Sequence, residues 1–207
     1  TLEEKLFALE EQGKSVVLLM SAERVEALCA VADTIKESSR AAMDGLRQLG
    51  VRTILLSGDN AHTARAIAVQ AGVDEAHGDL LPQDKLTMVA TLSQSGKTGM
   101  VGDGINDAPA LAKADIGFAM AAAGTDAAIE TADVALMDDD LRKLPVFIRL
   151  SRATHAVLVQ NITFALAVKA VFFALALAGE ATMWMAVFAD MGVSLLVVAN
   201  GLRLLRK

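Results

Sequence analysis

The formal net charge of −6 over 207 residues argues against a nucleic-acid partner, because domains that bind DNA or RNA carry an excess of Lys and Arg. The single cysteine, Cys29, excludes an internal disulfide and any Cys-x-x-Cys metal site in this sequence, and its apolar neighbours predict a buried thiol. Hydrophobic residues make up 54% of the sequence, but they are concentrated in residues 161–207, whereas residues 1–160 have the composition of a soluble protein.

The N-terminal residues predict a helix followed by a β-hairpin. Leucines recur on one face of a helix over residues 2–12, and charged residues fill the other face. Two β-rich runs, residues 15–20 and 25–32, are separated by a short turn, which is typical of two antiparallel strands.

From residue 33 onward, predicted strands and helices alternate. Ser38 or Ser39 is predicted to cap the first helix, and Gly50 to end it. Strands alternating with helices of about ten residues predict an α/β fold with a doubly wound parallel sheet. We predict apolar strands at residues 51–56, 98–101, 115–120 and 134–137, and helices at 38–49, 61–71 and 82–95.

The C-terminal part predicts a helix over residues 141–160 and then two apolar runs, residues 162–178 and 183–199. Each run has 17 residues, the lower limit for a membrane-spanning helix. Basic residues flank the pair on both sides and are absent from the loop that joins the runs. The positive-inside rule therefore predicts that both ends are cytoplasmic and that the loop is outside. The alternative is a buried hairpin in a large soluble core.

The strongest chemical signal is the run GDGINDAPAL at residues 102–111, directly after a predicted strand. Asp103 and Asp107 place two carboxylates at the carboxyl end of that strand, where open α/β sheets bind ligands. Carboxylates beside a phosphate suit Mg²⁺. The alternative is a plain strand-to-helix turn, with Asp103 in the turn and Asn106 as the N-cap of the helix.

This run resembles the hinge signature of P-type ATPases, within the haloacid-dehalogenase-like superfamily of phosphotransferases. The resemblance implies a haloacid-dehalogenase-like phosphorylation domain that acts on ATP through an aspartyl-phosphate. It also implies that Asp103 binds Mg²⁺, while Asn106 and Asp107 hold the hinge and the phosphate site. The family's phosphorylated aspartate lies in a DKTGT motif, which does not occur in this sequence.

Two further motifs match the same family. Ser57-Gly58-Asp59 occupies the position of the family's Thr-Gly-Asp and keeps the hydroxyl, which can hold a phosphate oxygen together with N–H groups at a helix N-terminus. Lys85 matches the family's Pro-x-x-Lys element, which makes it a candidate clamp on the phosphoryl group. Taken alone, Ser57-Gly58-Asp59 is more typical of a plain helix cap, and Lys85 of a lysine on a solvated helix face.

Lys169 and Asp190 are each the eighth residue of an apolar run. A charge at mid-bilayer costs about 2.5–3.5 kcal/mol on insertion scales and indicates a functional site. Lys169 lies 11 residues before Glu180 and Asp190 lies 10 after it, so both should sit about 15–16 Å from the turn. Two interpretations are open: a static salt bridge, or an ion site in which Asp190 is an oxygen ligand of a divalent cation and Lys169 is its counter-charge when the site empties.

Here the resemblance narrows to one branch. Asn161 at the start of the first span, Lys169 within it, and Asp190-Met191-Gly192 in the second span look like the bacterial P-type ATPases that export Zn²⁺, Cd²⁺ or Pb²⁺. The resemblance implies a multi-pass protein of the bacterial inner membrane. It also implies partners from the rest of the same pump: an actuator domain, the DKTGT segment and a Cys-Pro-Cys helix.

We therefore expect the C-terminal part of such a pump. Residues 1–32 would be the edge of a nucleotide-binding domain, 33–148 a phosphorylation domain, and 149–207 a stalk helix with the last two transmembrane helices. This part alone is expected to be inactive, because it lacks the phosphorylated aspartate. Three alternatives remain: a copper-exporting P-type ATPase, a soluble phosphatase of the superfamily, and a membrane-anchored module acting in trans. The first is considered because Met191 and Ser194 superficially resemble the Met/Ser pattern of the copper branch.

Overall fold

The computed structural model describes residues 2–10, 14–21, 24–31, 35–103, 106–121, 126–180 and 182–206. The chain divides into two compact units, Thr1–Pro145 and Val146–Lys207. The strands are β1 (Ser15–Met20), β2 (Val25–Val31), β3 (Ile54–Leu56), β4 (Glu75–His77), β5 (Gly99–Gly102), β6 (Ile116–Met120) and β7 (Val134–Leu136). The helices are α1 (Leu2–Glu10), α2 (Glu37–Gln48), α3 (Ala61–Ala71), α4 (Pro82–Ser95), α5 (Ala108–Lys113), α6 (Asp126–Thr131), α7 (Lys143–Leu177) and α8 (Met183–Leu202), followed by a 3₁₀ turn at Arg203–Arg206.

The predicted N-terminal hairpin is confirmed, since β1 and β2 pair antiparallel. Cys29 faces Val17 across this ladder, and both residues are exposed. The prediction of a buried thiol is therefore wrong. Side chains of a strand alternate between the two faces of a sheet, and Cys29 lies on the face of the two-stranded sheet that is open to solvent.

The predicted parallel α/β architecture is also confirmed. Strand β3 pairs parallel with β4, and β5, β6 and β7 form a three-stranded parallel sheet in that order. Helices connect successive strands, as parallel pairing requires. The core of the three-stranded sheet is centred on Leu111 and Ala119, which are 1% and 0% exposed and pack with Met100, Ile129 and Ala132.

The structure corrects several boundaries. Strand β4 was not predicted, because Glu-Ala-His carries almost no apolar signal, yet it pairs with β3 over three residues. Helix α2 begins at Glu37, and its N-cap position is Lys36, so Ser38 and Ser39 lie within its first turn and do not cap it. Gly50 has a φ of +70° directly after the last turn of α2, where a left-handed residue ends a helix, as predicted.

The second unit contains the two apolar helices. The predicted helix at 141–160 and the first apolar run form one continuous helix, α7, of 35 residues. The second run lies in α8, whose N-terminus is capped by Thr182. Both helices are long and apolar enough to cross a membrane, with a mean hydropathy of 1.8.

Candidate functional site

The turn from β5 to α5 brings the backbone of Gly102 against the side chain of Asp107. A Cβ placed on Gly102 would lie 2.7 Å from the Cβ of Asp107, which is closer than real Cβ atoms approach one another. Glycine is required here by this close approach. Asp107 holds the N-cap position of α5, so the alternative assignment of that position to Asn106 is wrong. Gly104 and Ile105 lie outside the described residues.

Lys85 and Asp107 form an ion pair at the end of β5. Lys85 lies in the first turns of α4, and its Nζ donates to Asp107 Oδ1 at 2.9 Å. The two side chains are only 16% and 14% exposed, so this pair is screened less than a surface pair. At the start of the same helix, the backbone N–H of Leu81 donates to Asp84 Oδ2 at 2.9 Å. The sequence placed both Lys85 and Asp107 in one site, and the structure brings them into contact.

Ser57, Gly58 and Asp59 form a second cluster, directly after β3. The Ser57 hydroxyl donates to Asp59 Oδ2 at 2.9 Å and accepts from the backbone N–H of Asp59 at 3.1 Å. No described hydrogen bond or ion pair joins this turn to Lys85 or Asp107 within the residues that the structure covers.

The N-terminus of α3 is already occupied by the chain's own side chains. Asn60 is the N-cap, and its side chain accepts from the Thr63 N–H at 2.8 Å. The Ala61 N–H donates to Asp79 Oδ2 at 3.0 Å. The predicted anion site at this helix N-terminus therefore has fewer available N–H groups than the sequence implied. The groups next to the open end of β3 are the Ser57 hydroxyl and the turn that follows it.

Sequence reasoning missed Gly78 and Asp79. A Cβ on Gly78 would lie 2.5 Å from the Cα of Ala61, and Asp79 has a φ of +55°. A Gly-Asp dipeptide is a common turn signal, but nothing local indicates that this one packs against a helix 17 residues earlier. A similar long-range contact joins Asp74 to Thr53. The Asp74 carboxylate accepts hydrogen bonds from the Thr53 N–H at 2.8 Å and from the Thr53 hydroxyl at 2.7 Å. These hydrogen bonds hold the pKa of Asp74 below its usual value.

Asp103 follows β5 directly and is exposed. Over the ranges the structure describes, no three His, Cys, Asp or Glu side chains converge as a metal site. Asp103 and Asp107 are the carboxylates at the end of β5, and Asp107 is engaged with Lys85. This donor set fits a hard cation that takes only one or two protein carboxylates and completes its shell with water and phosphate oxygens, as Mg²⁺ does.

In the second unit, polar side chains join α7 to α8. Asn161 Nδ2 donates to the carbonyl oxygen of Val197 at 3.3 Å, and Asn200 Nδ2 donates to Asn161 Oδ1 at 2.8 Å. Arg203 Nη1 in turn donates to Asn200 Oδ1 at 2.9 Å. We call Asn161, Asn200 and Arg203 the polar clamp. Such hydrogen bonds between apolar helices set the register in which they pack.

The polar clamp places Lys169 and Asp190 at similar depths. Lys169 lies eight residues above Asn161, or about 12 Å at 1.5 Å per residue. Asp190 lies seven residues from Val197 and ten from Asn200, which corresponds to about 10–15 Å along the antiparallel helix. This estimate starts from the end of the helix pair opposite the loop, and it also gives Lys169 and Asp190 similar depths.

Lys169 and Asp190 also share one flank of the helix pair. Val168 on α7 and Ala189 on α8 line the same groove between the helices. Lys169 follows Val168, and Asp190 follows Ala189. One position along an α-helix turns the side-chain direction by about 100° about the helix axis. Because the helices are antiparallel, these two rotations lead to the same side. Both charged side chains are exposed, and none of the ion pairs found among described residues joins them, so a static salt bridge is not formed.

Comparison with known proteins gives a consistent result. The haloacid dehalogenase-like hydrolase family model matches residues 1–115. Over 99% of its length the chain is 50% identical to a probable cadmium-transporting ATPase of Alkalihalophilus pseudofirmus. Over 96% it is 47% identical to the zinc/cadmium/lead-transporting P-type ATPase of Escherichia coli (strain K12). It spans 29% and 27% of these two proteins.

The structure resembles the crystal structure of a zinc-transporting PIB-type ATPase in the E2.Pi state, with a TM-score of 0.88 and 45% identity. The match covers 99% of this chain and 34% of that one. The chain belongs to the haloacid dehalogenase-like hydrolase family, and over nearly its whole length it is homologous to the cadmium- and zinc-transporting P-type ATPases.

Proposed function

We propose that this chain is the C-terminal part of a pump that hydrolyses ATP through an aspartyl-phosphate and exports Zn²⁺, Cd²⁺ or Pb²⁺. The observation that carries the proposal is the half-buried Lys85–Asp107 pair at the end of β5, in a chain that also contains two apolar helices with internal charges. A phosphoryl-transfer site and a charged membrane site in one chain are what such a pump needs.

The first unit, Thr1–Pro145, would bind the phosphoryl group. Lys85 would neutralise charge that develops on the phosphoryl oxygens, and the Lys85–Asp107 contact would hold its ammonium group at the carboxyl end of the sheet. Ser57 and Gly58 would contact a phosphoryl oxygen, and Asp59 orients the Ser57 hydroxyl through its hydrogen bond. Phosphoryl transfer depends mainly on positioning and electrostatic stabilisation, so these contacts are the expected contribution of this chain.

Asn106 would keep the segment between β5 and α5 in place as part of the hinge. Asp103 would hold Mg²⁺, and that ion would neutralise negative charge on the phosphate oxygens. The phosphorylated aspartate and the nucleotide-binding residues would come from the rest of the pump. For that reason residues 1–207 by themselves are expected to form no phosphoenzyme with ATP.

The second unit, Val146–Lys207, would contain the transport site. Asp190 would supply an oxygen ligand to the divalent cation, and Lys169 at the same depth would supply a counter-charge after the cation leaves. Lys169 and Asp190 lie on the same flank of the helix pair, so a third helix packed on that flank could contact both side chains. This arrangement supports a ligand role for Asp190 and a counter-charge role for Lys169. We infer that this helix is the Cys-Pro-Cys segment of the same pump, since thiolates suit these soft cations.

The domain arrangement follows from these roles. Residues 1–32 would complete a nucleotide-binding domain, residues 33–148 would form the phosphorylation domain, and residues 149–207 would supply the stalk and the last two spans in the bacterial inner membrane. Residues 1–160 and the C-terminus would be cytoplasmic, because basic residues flank the helix pair at those ends.

The test is metal-stimulated ATPase activity of the full-length pump, as wild type and as Asp190→Ala, with Zn²⁺, Cd²⁺, Pb²⁺ and Cu⁺. Glu180→Ala is the matched control, because it removes a carboxylate from the loop outside the spans. The proposal predicts stimulation of the wild type and of Glu180→Ala by the divalent ions, and loss of that response in Asp190→Ala. Stimulation by Cu⁺ alone would instead support a copper exporter, and stimulation that survives in Asp190→Ala would exclude Asp190 from the transport site.

A further inference from the structure

We call Ser57-Gly58-Asp59 the phosphate turn. Backbone hydrogen bonds join this turn to residues 77–80. The Ser57 N–H donates to the His77 carbonyl oxygen at 2.9 Å, and the Leu80 N–H donates to the Ser57 carbonyl oxygen at 3.1 Å. Between them, the Asp79 N–H donates to the Asp59 carbonyl oxygen at 2.6 Å. These contacts reach both ends of the phosphate turn.

Asp79 adopts an unusual backbone conformation in this segment. Its φ of +55° is left-handed, a region that residues with a Cβ rarely occupy, although aspartate tolerates it better than most. The neighbouring Gly78 passes so close to α3 that a Cβ would lie 2.5 Å from Ala61 Cα and 2.6 Å from Ala61 N. Such conformations persist where the surroundings enforce them, and they cluster at functional sites.

The Asp79 carboxylate occupies the start of α3. Its Oδ2 accepts from the Ala61 N–H at 3.0 Å, so a negative charge already lies where the helix N-terminus would attract an anion. An incoming phosphoryl group is therefore excluded from that position and meets the Ser57 hydroxyl and the Gly58 backbone instead. Through the Asp59 carbonyl, the same residue restrains the turn that presents that hydroxyl.

We propose that Asp79 is a positioning residue that holds the phosphate turn in the conformation that binds phosphate, through the Ala61 N–H and the Asp59 carbonyl. This inference rests on the proposed phosphoryl-binding role of Ser57. Asp79 does not itself contact the phosphoryl group.

Two substitutions in the full-length pump separate the carboxylate from the backbone conformation. Asp79→Gly keeps a residue that adopts positive φ freely but removes the acceptor for the Ala61 N–H. Asp79→Asn keeps an acceptor oxygen and a residue that tolerates the left-handed region. Asp139→Gly is the matched control, because Asp139 also has a left-handed φ, of +50°, and follows β7 in the three-stranded sheet, whereas the phosphate turn follows β3 in the two-stranded sheet.

The first measurement is inhibition of ATPase activity by inorganic phosphate, together with KM for ATP. We expect Asp79→Gly to weaken phosphate inhibition about tenfold, the effect of losing one hydrogen bond to a charged group, with KM for ATP within about twofold. Asp79→Asn should recover most of the phosphate affinity, and Asp139→Gly should match the wild type. Simple loss of folded protein would lower kcat without changing the phosphate inhibition constant.

The second measurement is amide hydrogen exchange of residues 57–61 with and without inorganic phosphate, which does not require ATPase activity. At a phosphate concentration near the wild-type inhibition constant, phosphate should protect this segment in the wild type and in Asp79→Asn, and should protect it much less in Asp79→Gly. If phosphate protects residues 57–61 in this pattern but the pump shows no metal-stimulated ATPase activity, the proposed pump function is wrong and the role of Asp79 is retained. Absence of protection in the wild type, or equal protection in Asp79→Gly, would overturn the role of Asp79.

Discussion

Lys85 Nζ lies 2.9 Å from Asp107 Oδ1, although 22 residues separate the two along the chain. One residue belongs to the first turns of α4 and the other precedes α5, so the contact exists only because these two helices pack against each other. The ammonium group is thereby held in a half-buried position, where its charge is screened less than at the surface.

Lys85→Met should lower kcat of the full-length pump by about 10²–10³-fold, the usual cost of removing one positioned electrostatic contact from a transition state. The matched control is Lys97→Met. Lys97 also pairs with an aspartate, Asp115, at 2.6 Å, but its side chain is 92% exposed. Equal losses in the two variants would contradict a specific role for Lys85. The measurement is steady-state ATPase activity at saturating ATP and metal.

Gly102→Ala should disable the same site without removing any functional group. The new methyl group would overlap Asp107, whose Cβ lies 2.7 Å from the Cβ position of residue 102, and Asp107 would have to move away from Lys85. Gly99→Ala, three residues earlier on β5, is the control, because its nearest neighbour is a Phe118 ring atom at 3.4 Å. In the full-length pump, we expect phosphoenzyme formation from ATP to be lost in Gly102→Ala and retained in Gly99→Ala. A fully active Gly102→Ala pump would show that the close approach is not needed.

Leu111→Ala should destabilise the first unit, Thr1–Pro145, by about 2–5 kcal/mol, because it leaves a cavity beside Ala119 in the core of the three-stranded sheet. Leu81→Ala is the control, since Leu81 is 68% exposed. Hydrogen exchange of the β6 amides in denaturant measures the difference. An effect no larger than that of Leu81→Ala would contradict the assigned core.

The stability of the loop after β7 should depend on acid pH through Asp140. The Arg142 side chain, which donates to this carboxylate, lowers the pKa of Asp140 from 3.8 to about 2. A depressed folded-state pKa contributes stability that is fully present above the unfolded value of 3.8 and is lost as the pH falls through about 2. Arg142→Met should return the pKa of Asp140 toward 3.8, which NMR titration of the carboxyl carbon would detect. An unchanged titration would show that Arg142 does not hold this carboxylate.

Asn161→Leu should weaken the metal response of the full-length pump by loosening the polar clamp. Hydrogen bonds between membrane helices contribute about 0.6 kcal/mol each on average, and this substitution removes the two that Asn161 makes with Val197 and Asn200. The metal concentration for half-maximal ATPase stimulation should therefore rise roughly eightfold. Thr163→Leu, an exposed position two residues further along α7, is the control. No difference between the variants would mean that the clamp does not set the depths of Lys169 and Asp190.

The sequence by itself determined the α/β class and the two apolar helices, and it singled out Ser57, Lys85 and Asp107 as candidate site residues. Periodicity, glycine and proline positions, and the GDGINDAPAL run are local signals, and the helices at 61–71 and 82–95 appeared where those signals predicted them. Charges at equal positions in two apolar runs were likewise visible in the chain itself. Errors arose where the local signal was weak or ambiguous, as in β4 and in the Ser38 and Ser39 caps.

Only the tertiary structure decided which of these groups meet. Strand β4 exists because β3 offers it a parallel edge, and the thiol of Cys29 is exposed because nothing described covers that face of its hairpin. Asp79 reaches the start of α3, and Lys85 reaches Asp107, through contacts between segments 18 and 22 residues apart. Such contacts depend on how strands and helices pack, which pairwise spacing along the chain does not encode.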